Sequence, residues 1–532
     1  MKKFIKKIKS NKFLYILSVL IVGVFFILIA RVTYAFLAPI INNAQTNIVI
    51  KGDIVDEFKL KVGNPLKLDA TPTTLKENGT NYTTSTTATA SLKANSTKNT
   101  ATYNYYLYFQ IENNTFTYTS GTTPEIILTI TNPNGEEVTS IEGLTYGTFN
   151  GVSGFDVTTQ NGLFNIANNY QITSNSSTTS TIHEWTITLT YLNQSYDQSG
   201  NFGKSMEVGV LLQKEEVKPL LADYVKSLYV SNNGENGIYY HDATLTNGAG
   251  DNSYRYAGAS SDVNNYVCFG STQSPCPADN LYRIIGVFGD KVKLIKSDYA
   301  TSALLGADGD YKEKYSYDSS KYKGNTNNLA NIAGYTWNYK NNTTINSGYG
   351  SNTWSTSLLN KTNLNKNFIT NIGADWAAKI AETTWKVGGN TFANIGKQPA
   401  QTVYQNEIVS PVTTNTTDNA TDYSAKVGLM YVSDYMYAAP QDKWTLVGYN
   451  GSDASKDYRA ATSVNWMYMG LYEWTISRTA GYADSVFRVT NTGDVLSDGA
   501  GGAYGVRPVF YLTSSVNYAS GSGSATDPIV VN

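Results

Sequence analysis

One stretch near the C-terminus gathers the side chains best suited to specific recognition. From Trp466 to Arg478 the sequence WMYMGLYEWTISR places four aromatics, Trp466, Tyr468, Tyr472 and Trp474, beside Glu473 and Arg478. Two uses of this set are open. Tyrosine and tryptophan offer an apolar face with a polar tip, as carbohydrate or peptide binding requires, so the four rings form a candidate ligand-binding set. In the other use, Glu473 and Arg478 form a buried ion pair that fixes a loop, and Trp474 belongs to the same scaffold.

Other chemistry is thinly supplied. Asp308-Gly309-Asp310 and the turn between Asp494 and Asp498 offer oxygen ligands to calcium, but neither follows the twelve-residue loop spacing that makes such a signal specific. With only His183 and His241 in the chain, imidazole metal centres and Ser-His-Asp catalysis lack their parts. Paired carboxylates for glycoside hydrolysis meet only in the fold, and no motif points to them, so no catalytic residue is nominated. Gly499 to Gly505 (GAGGAYG) lacks the lysine and helix of a phosphate loop and reads as a turn. Cys268 and Cys276, in YVCFGSTQSPCPADN, read as a local disulfide; closing so short a loop contributes about 2 to 3 kcal/mol.

The elements that would position these residues begin with a leader. Six lysines precede an uncharged run, Phe13 to Ala30, whose length of roughly 27 Å as a helix is close to a hydrocarbon core. This is a transmembrane anchor, or a signal peptide cleaved after Ala35 of Thr33-Tyr34-Ala35; either way the lysines stay cytoplasmic and the rest is exported. The exported part holds 33 basic residues against 42 acidic, net −9, with no basic stripe, so nucleic acid is not an expected partner.

The exported chain is rich in Thr, Asn, Ser and Tyr, which fit strands and turns. Asn47 to Lys51, Thr102 to Glu112, Glu125 to Thr131 and His183 to Leu192 alternate apolar and polar residues, and turns such as Asn132-Pro133-Asn134-Gly135 separate them. Residues 46–213 therefore read as a β-sandwich. Asn81 to Asn95 reads either as part of it or as a mobile loop, and nothing in the sequence locates a Lys–Asn isopeptide staple there. Residues 214–237 read as a linker with a short helix at Leu220 to Tyr229. Residues 238–532 read as α+β: a hairpin at Leu281 to Phe288 and Lys291 to Ile295 about Gly289-Asp290, helical spacing over Ser355 to Ile372, and strands at Val427 to Tyr431, Val486 to Val489 and Val506 to Leu512.

Met469 to Thr475 (MGLYEWT) and Tyr504 to Pro508 (YGVRP) resemble two signatures of the formylglycine-generating-enzyme-like proteins, whose fold is related to C-type lectins. The resemblance implies that Glu473 and Trp474, then Gly505 and Arg507, support the core of a lectin-related domain. Gly470 stands one residue closer to Glu473 than in that family, and the family's C-terminal cysteines and Arg-Gly-Gly-Ser signature are missing, so its activity is not implied. Residues 238–532 also resemble a family of uncharacterised bacterial surface-protein domains, through Tyr254 to Gly258, Tyr266 to Cys276, Leu281 to Phe288, Tyr468 to Thr475, Val486 to Val489 and Gly505 to Leu512. The leader and first domain are similar, in composition, to secreted biofilm-fibre subunits.

The expectation is thus a multidomain protein: leader helix in residues 1–36, β-sandwich stalk and lectin-related head. Its expected function is non-enzymatic binding or adhesion at a bacterial surface, with a carbohydrate or protein ligand outside the cell. A fibre or matrix subunit and an extracellular hydrolase are the alternatives.

Overall fold

The computed structural model describes residues 55–75, 78–230, 232–340, 349–411 and 420–532. The leader with its apolar run and the strand expected at Asn47 to Lys51 lie outside the described residues, among which no helix is long and apolar enough to cross a membrane. Strand outweighs helix, 35% to 17%, so the chain is mostly β-sheet, arranged in several sheets. It divides after Val217 into two compact units.

The first unit holds β1 (Glu57–Val62), β2 (Leu66–Asp69), β3 (Tyr82–Lys93), β4 (Ala101–Glu112), β5 (Ile126–Thr131), β6 (Thr145–Phe149), β7 (Val152–Asp156), β8 (Gly162–Ser174), β9 (Thr181–Tyr191) and β10 (Ser205–Gln213). They form two antiparallel sheets, ordered β1-β3-β9-β5-β7-β6 and β2-β10-β4-β8. Ala88, Ala90, Leu92, Trp185, Ile187 and Leu189 of the first sheet share one hydrophobic core with Leu107, Phe109, Met206 and Val208 of the second. The mobile-loop alternative for Asn81 to Asn95 is corrected, because this stretch supplies β3. Its small residues Ala88 and Ala90 alternate inward with Leu92, while the hydroxyls of Ser85 and Thr188 meet across to β9 at 2.8 Å. Glu125, fully buried, is occupied by Thr119, Tyr191, Gln198 and Asn201 donors, as a buried carboxylate requires.

The second unit spans Lys218–Asn532, and the helix Leu221–Ser227, expected to open the second domain, buries Leu221 and Val225 in its core. The hairpin Leu281–Phe288 and Lys291–Lys296 lies inside a nine-stranded sheet, turning at Gly289 with φ of 66°, a value glycine adopts freely. Cys268 and Cys276 are joined, with Cα atoms 5.8 Å apart. The expected helical spacing over Ser355 to Ile372 corresponds to a 3₁₀ turn, Trp354–Thr356, a π-helix, Leu359–Phe368, and the α-turn Ile369–Asn371.

Two expected strands are shorter than their apolar runs. Pro508 has no N–H to donate, and only Val509–Tyr511 is strand. Only Val427–Gly428 is strand in VGLMY, because the chain then turns into the helix Val432–Tyr437, whose Asp434 reaches back to the Tyr431 N–H at 2.9 Å.

The start of that helix also holds a second buried acid. Glu407 accepts from the Val432 and Ser433 N–H groups at 2.9 and 2.8 Å and from the Ser477 hydroxyl, and burial pushes its carboxyl from 4.5 to about 7. The folded chain thus holds this proton more tightly than the unfolded chain. Its contribution to stability is full below about 4.5 and is lost as pH rises through about 7, amounting to about 3 kcal/mol. His241 and His183, whose pKa values burial lowers, act with the opposite sign, their contribution being lost as pH falls below 6.5. Glu407→Gln isolates the first effect: between pH 5 and pH 8, wild type is expected to lose up to about 3 kcal/mol relative to the variant. Denaturant titrations at the two pH values check this; parallel pH dependence of the two proteins contradicts it.

Candidate functional site

Glu473 opens the strand Glu473–Thr479, which pairs with Ser485–Val489 and, through it, with Val495–Gly499. A bridge sets Glu473 beside Gly505, where a Cβ would stand 2.7 Å from the Tyr299 ring, so only glycine fits without a shift. Two residues on, Arg507 grips Glu473 with both arms, Nε to Oε1 at 2.8 Å and Nη2 to Oε2 at 2.9 Å, and donates to the Met467 carbonyl at 2.7 Å. Both side chains are buried. Burial raises the Glu473 carboxyl, and the adjacent guanidinium opposes that rise.

The expected pairing of Glu473 with Arg478 is therefore corrected. Five residues of extended strand separate them by about 16 Å, beyond the reach of an ion pair. Arg478 instead donates to the carbonyls of Ala420 at 2.9 Å and Asn352 at 3.5 Å.

Three of the four aromatics nominated for ligand contact are inside. Trp466 is 1% exposed, Tyr468 5% and Trp474 0%, and their polar tips are held by the carbonyls of Tyr256, Asn491 and Tyr335. Trp466 also forms a shelf under the Arg283 guanidinium, 4.6 Å from the ring. Tyr472 alone of the four is partly open.

Around Tyr472 the fold assembles partners from distant sequence. Tyr317, 38% exposed, meets Tyr472 edge-on at 5.6 Å and Tyr504 at 5.1 Å. The Arg488 guanidinium lies 4.5 Å from the Tyr472 ring and 5.0 Å from the Tyr504 ring, and its Nε is fixed by Asp498 at 2.9 Å. Asp498 also accepts the Tyr504 hydroxyl. The result is an aromatic patch whose geometry an ion pair holds rigid.

The segment that brings Tyr317 also forms the wall of a cavity. Asp318 accepts from Asn491, and Lys321 and Lys323 follow. With Arg459, Thr462, Tyr468 and Thr492 they line a cavity of about 430 Å³. Lys323 stands 4.8 Å from the Tyr468 ring and donates to the Thr462 carbonyl at 2.9 Å, and partial burial lowers its ammonium pKa. Arg459 is anchored by the buried Asp457 at 2.6 Å.

No family model, curated protein or solved structure matches this chain. The site is read from its geometry: flat ring faces beside a cation-lined hollow suit a ligand with a planar or sugar-ring face and a negative group.

Of the acids considered for calcium, Asp310 and Asp494 are hydrogen-bonded within the fold. Asp310 accepts from Thr336 and from the backbone of Tyr339, Lys340, Leu358 and Leu359. Asp494 accepts from the Thr490 and Thr492 hydroxyls. Among the described residues no three His, Cys, Asp or Glu side chains gather as a metal site.

Tyr317, Tyr504 and Arg488 were not nominated from sequence as site residues, and Asp498 was considered only for calcium. The clustering of Tyr311, Tyr315, Tyr317 and Tyr322 is a local signal for Tyr317 alone.

Proposed function

We propose that this chain is a bacterial extracytoplasmic binding or adhesion protein without catalytic activity. It is held by its N-terminal segment or secreted after Ala35, with the first unit a β-sandwich and the second a lectin-related domain. The observation that carries the reading is the partly open Tyr317–Tyr472–Tyr504 patch fixed by Arg488 and Asp498, together with the cavity lined by Lys321, Lys323 and Arg459. The disulfide and the lysine-rich leader support an oxidising compartment outside the membrane. The ligand class is a glycan or matrix protein that presents negative charge.

Polymerisation through strand edges is the second reading: the edge strand β1 carries Lys59 and Lys61 exposed, a pattern that discourages strand addition there, whereas the edge strands β6 and β8 carry no charged residue.

The test is an array of glycans and matrix proteins probed with residues 36–532, with and without calcium. Saturable, salt-sensitive binding that does not need calcium is expected. Absence of binding to every member, with residues 46–213 forming concentration-dependent fibres, would instead make the protein a structural subunit.

A further inference from the structure

The second unit encloses a lysine and an aspartate in a setting that suits more than an ion pair, and this inference is independent of the binding face. Lys293, on the strand Lys291–Lys296, is 1% exposed, and its Nζ lies 2.6 Å from Oδ2 of Asp434, which is equally buried. Phe288, Trp385, Tyr431 and Tyr511 ring the amine, with centroids 5.5, 5.8, 4.8 and 5.3 Å away. An ammonium has three donors, yet Asp434 is its one hydrogen-bond acceptor among the described residues. An ammonium buried among aromatic rings is costly, and burial accordingly favours the neutral, nucleophilic amine.

The carboxyl group is equally well placed. Its Oδ2 is fixed by the Tyr431 N–H at 2.9 Å, and the Arg255 guanidinium faces Oδ1 at 3.9 Å, where it favours negative charge on that oxygen. Glu407 occupies the next two N–H groups of the same helix start.

We infer that Lys293 and Asp434 become joined by an intramolecular amide bond. Nζ forms a bond to Cγ of Asp434, and one carboxyl C–O bond breaks. That oxygen leaves as water with the two protons the lysine nitrogen gives up, and Oδ1 stays as the amide carbonyl. No oxidant or further reactant enters. The product replaces two buried charges by one neutral amide, which removes their desolvation cost, and ties the central hairpin covalently to the helix Val432–Tyr437.

Tryptic digestion of the full chain reads this directly. The expected product is the peptide Val292–Lys296, uncut after Lys293, joined to Val427–Lys443 and lighter than their sum by one water. Cleavage after Lys293 together with a free, unmodified Val427–Lys443 peptide in the wild type would overturn the proposal. Lys293→Arg is expected to give only unlinked peptides.

Discussion

Arg507→Ala is expected to destabilise the second unit by about 3 to 5 kcal/mol, the cost of leaving one charge of a buried pair without its partner. The guanidinium is fully buried, holds both oxygens of Glu473, and also satisfies the Met467 carbonyl. Its removal strands the Glu473 carboxylate in a site already unfavourable to charge. Arg507→Lys offers little relief, because a single ammonium cannot reproduce the two parallel bonds. Replacing both partners with apolar residues of similar volume should recover most of the loss, since no charge then remains to be stranded. Calorimetry of the four proteins separates these cases. Equal melting of wild type and Arg507→Ala would mean that the pair does not hold the core.

Trp474→Ala is expected to cost a similar amount, about 3 to 5 kcal/mol, by a different route. The indole is fully buried against the Tyr504 ring at 4.6 Å, and its N–H is the donor to the Tyr335 carbonyl at 2.8 Å. Alanine leaves a cavity and removes one of the two donors to the Tyr335 carbonyl, the other being the Tyr504 N–H at 3.1 Å. Trp474→Phe keeps most of the ring contact and loses only the donor, so it should cost about 1 to 3 kcal/mol. Because Tyr504 belongs to the candidate binding patch, Trp474→Ala should weaken ligand binding as well, through loss of the patch's support. An unchanged melting temperature for Trp474→Ala would contradict its place in the core.

The strand-rich character of the chain and the disulfide were legible in the sequence, because alternation in TYNYYLYFQIE and the eight-residue separation of Cys268 and Cys276 are local properties. The role of Thr-rich β3 was only half legible. Threonine suits both a strand and a polar loop, and the neighbour that decides between them, β9, lies about a hundred residues away. VGLMY was misread in length, since an apolar run cannot show that Asp434 three residues later starts a helix.

The site was less legible than the fold. Clustering of Trp466, Tyr468, Tyr472 and Trp474 marked an important region, but one dense run of rings supplies core and surface alike, and burial separates them only after folding. The partners of Tyr472 come from a loop more than 150 residues earlier and from a hairpin after it, and no spacing rule links them. Glu473 and Arg478 were nearest in sequence, yet the extended strand keeps them apart and Arg507 takes the acid.

The most direct test of the binding face uses the strongest array ligand and compares its Kd for wild type and the Tyr317→Ala/Tyr472→Ala double variant at matched melting temperature. Two open rings at the centre of a recognition patch are each expected to contribute more than about 1 kcal/mol, so the variant should bind at least about tenfold more weakly. An unchanged Kd in a folded double variant would place the ligand elsewhere and contradict the assignment of this face.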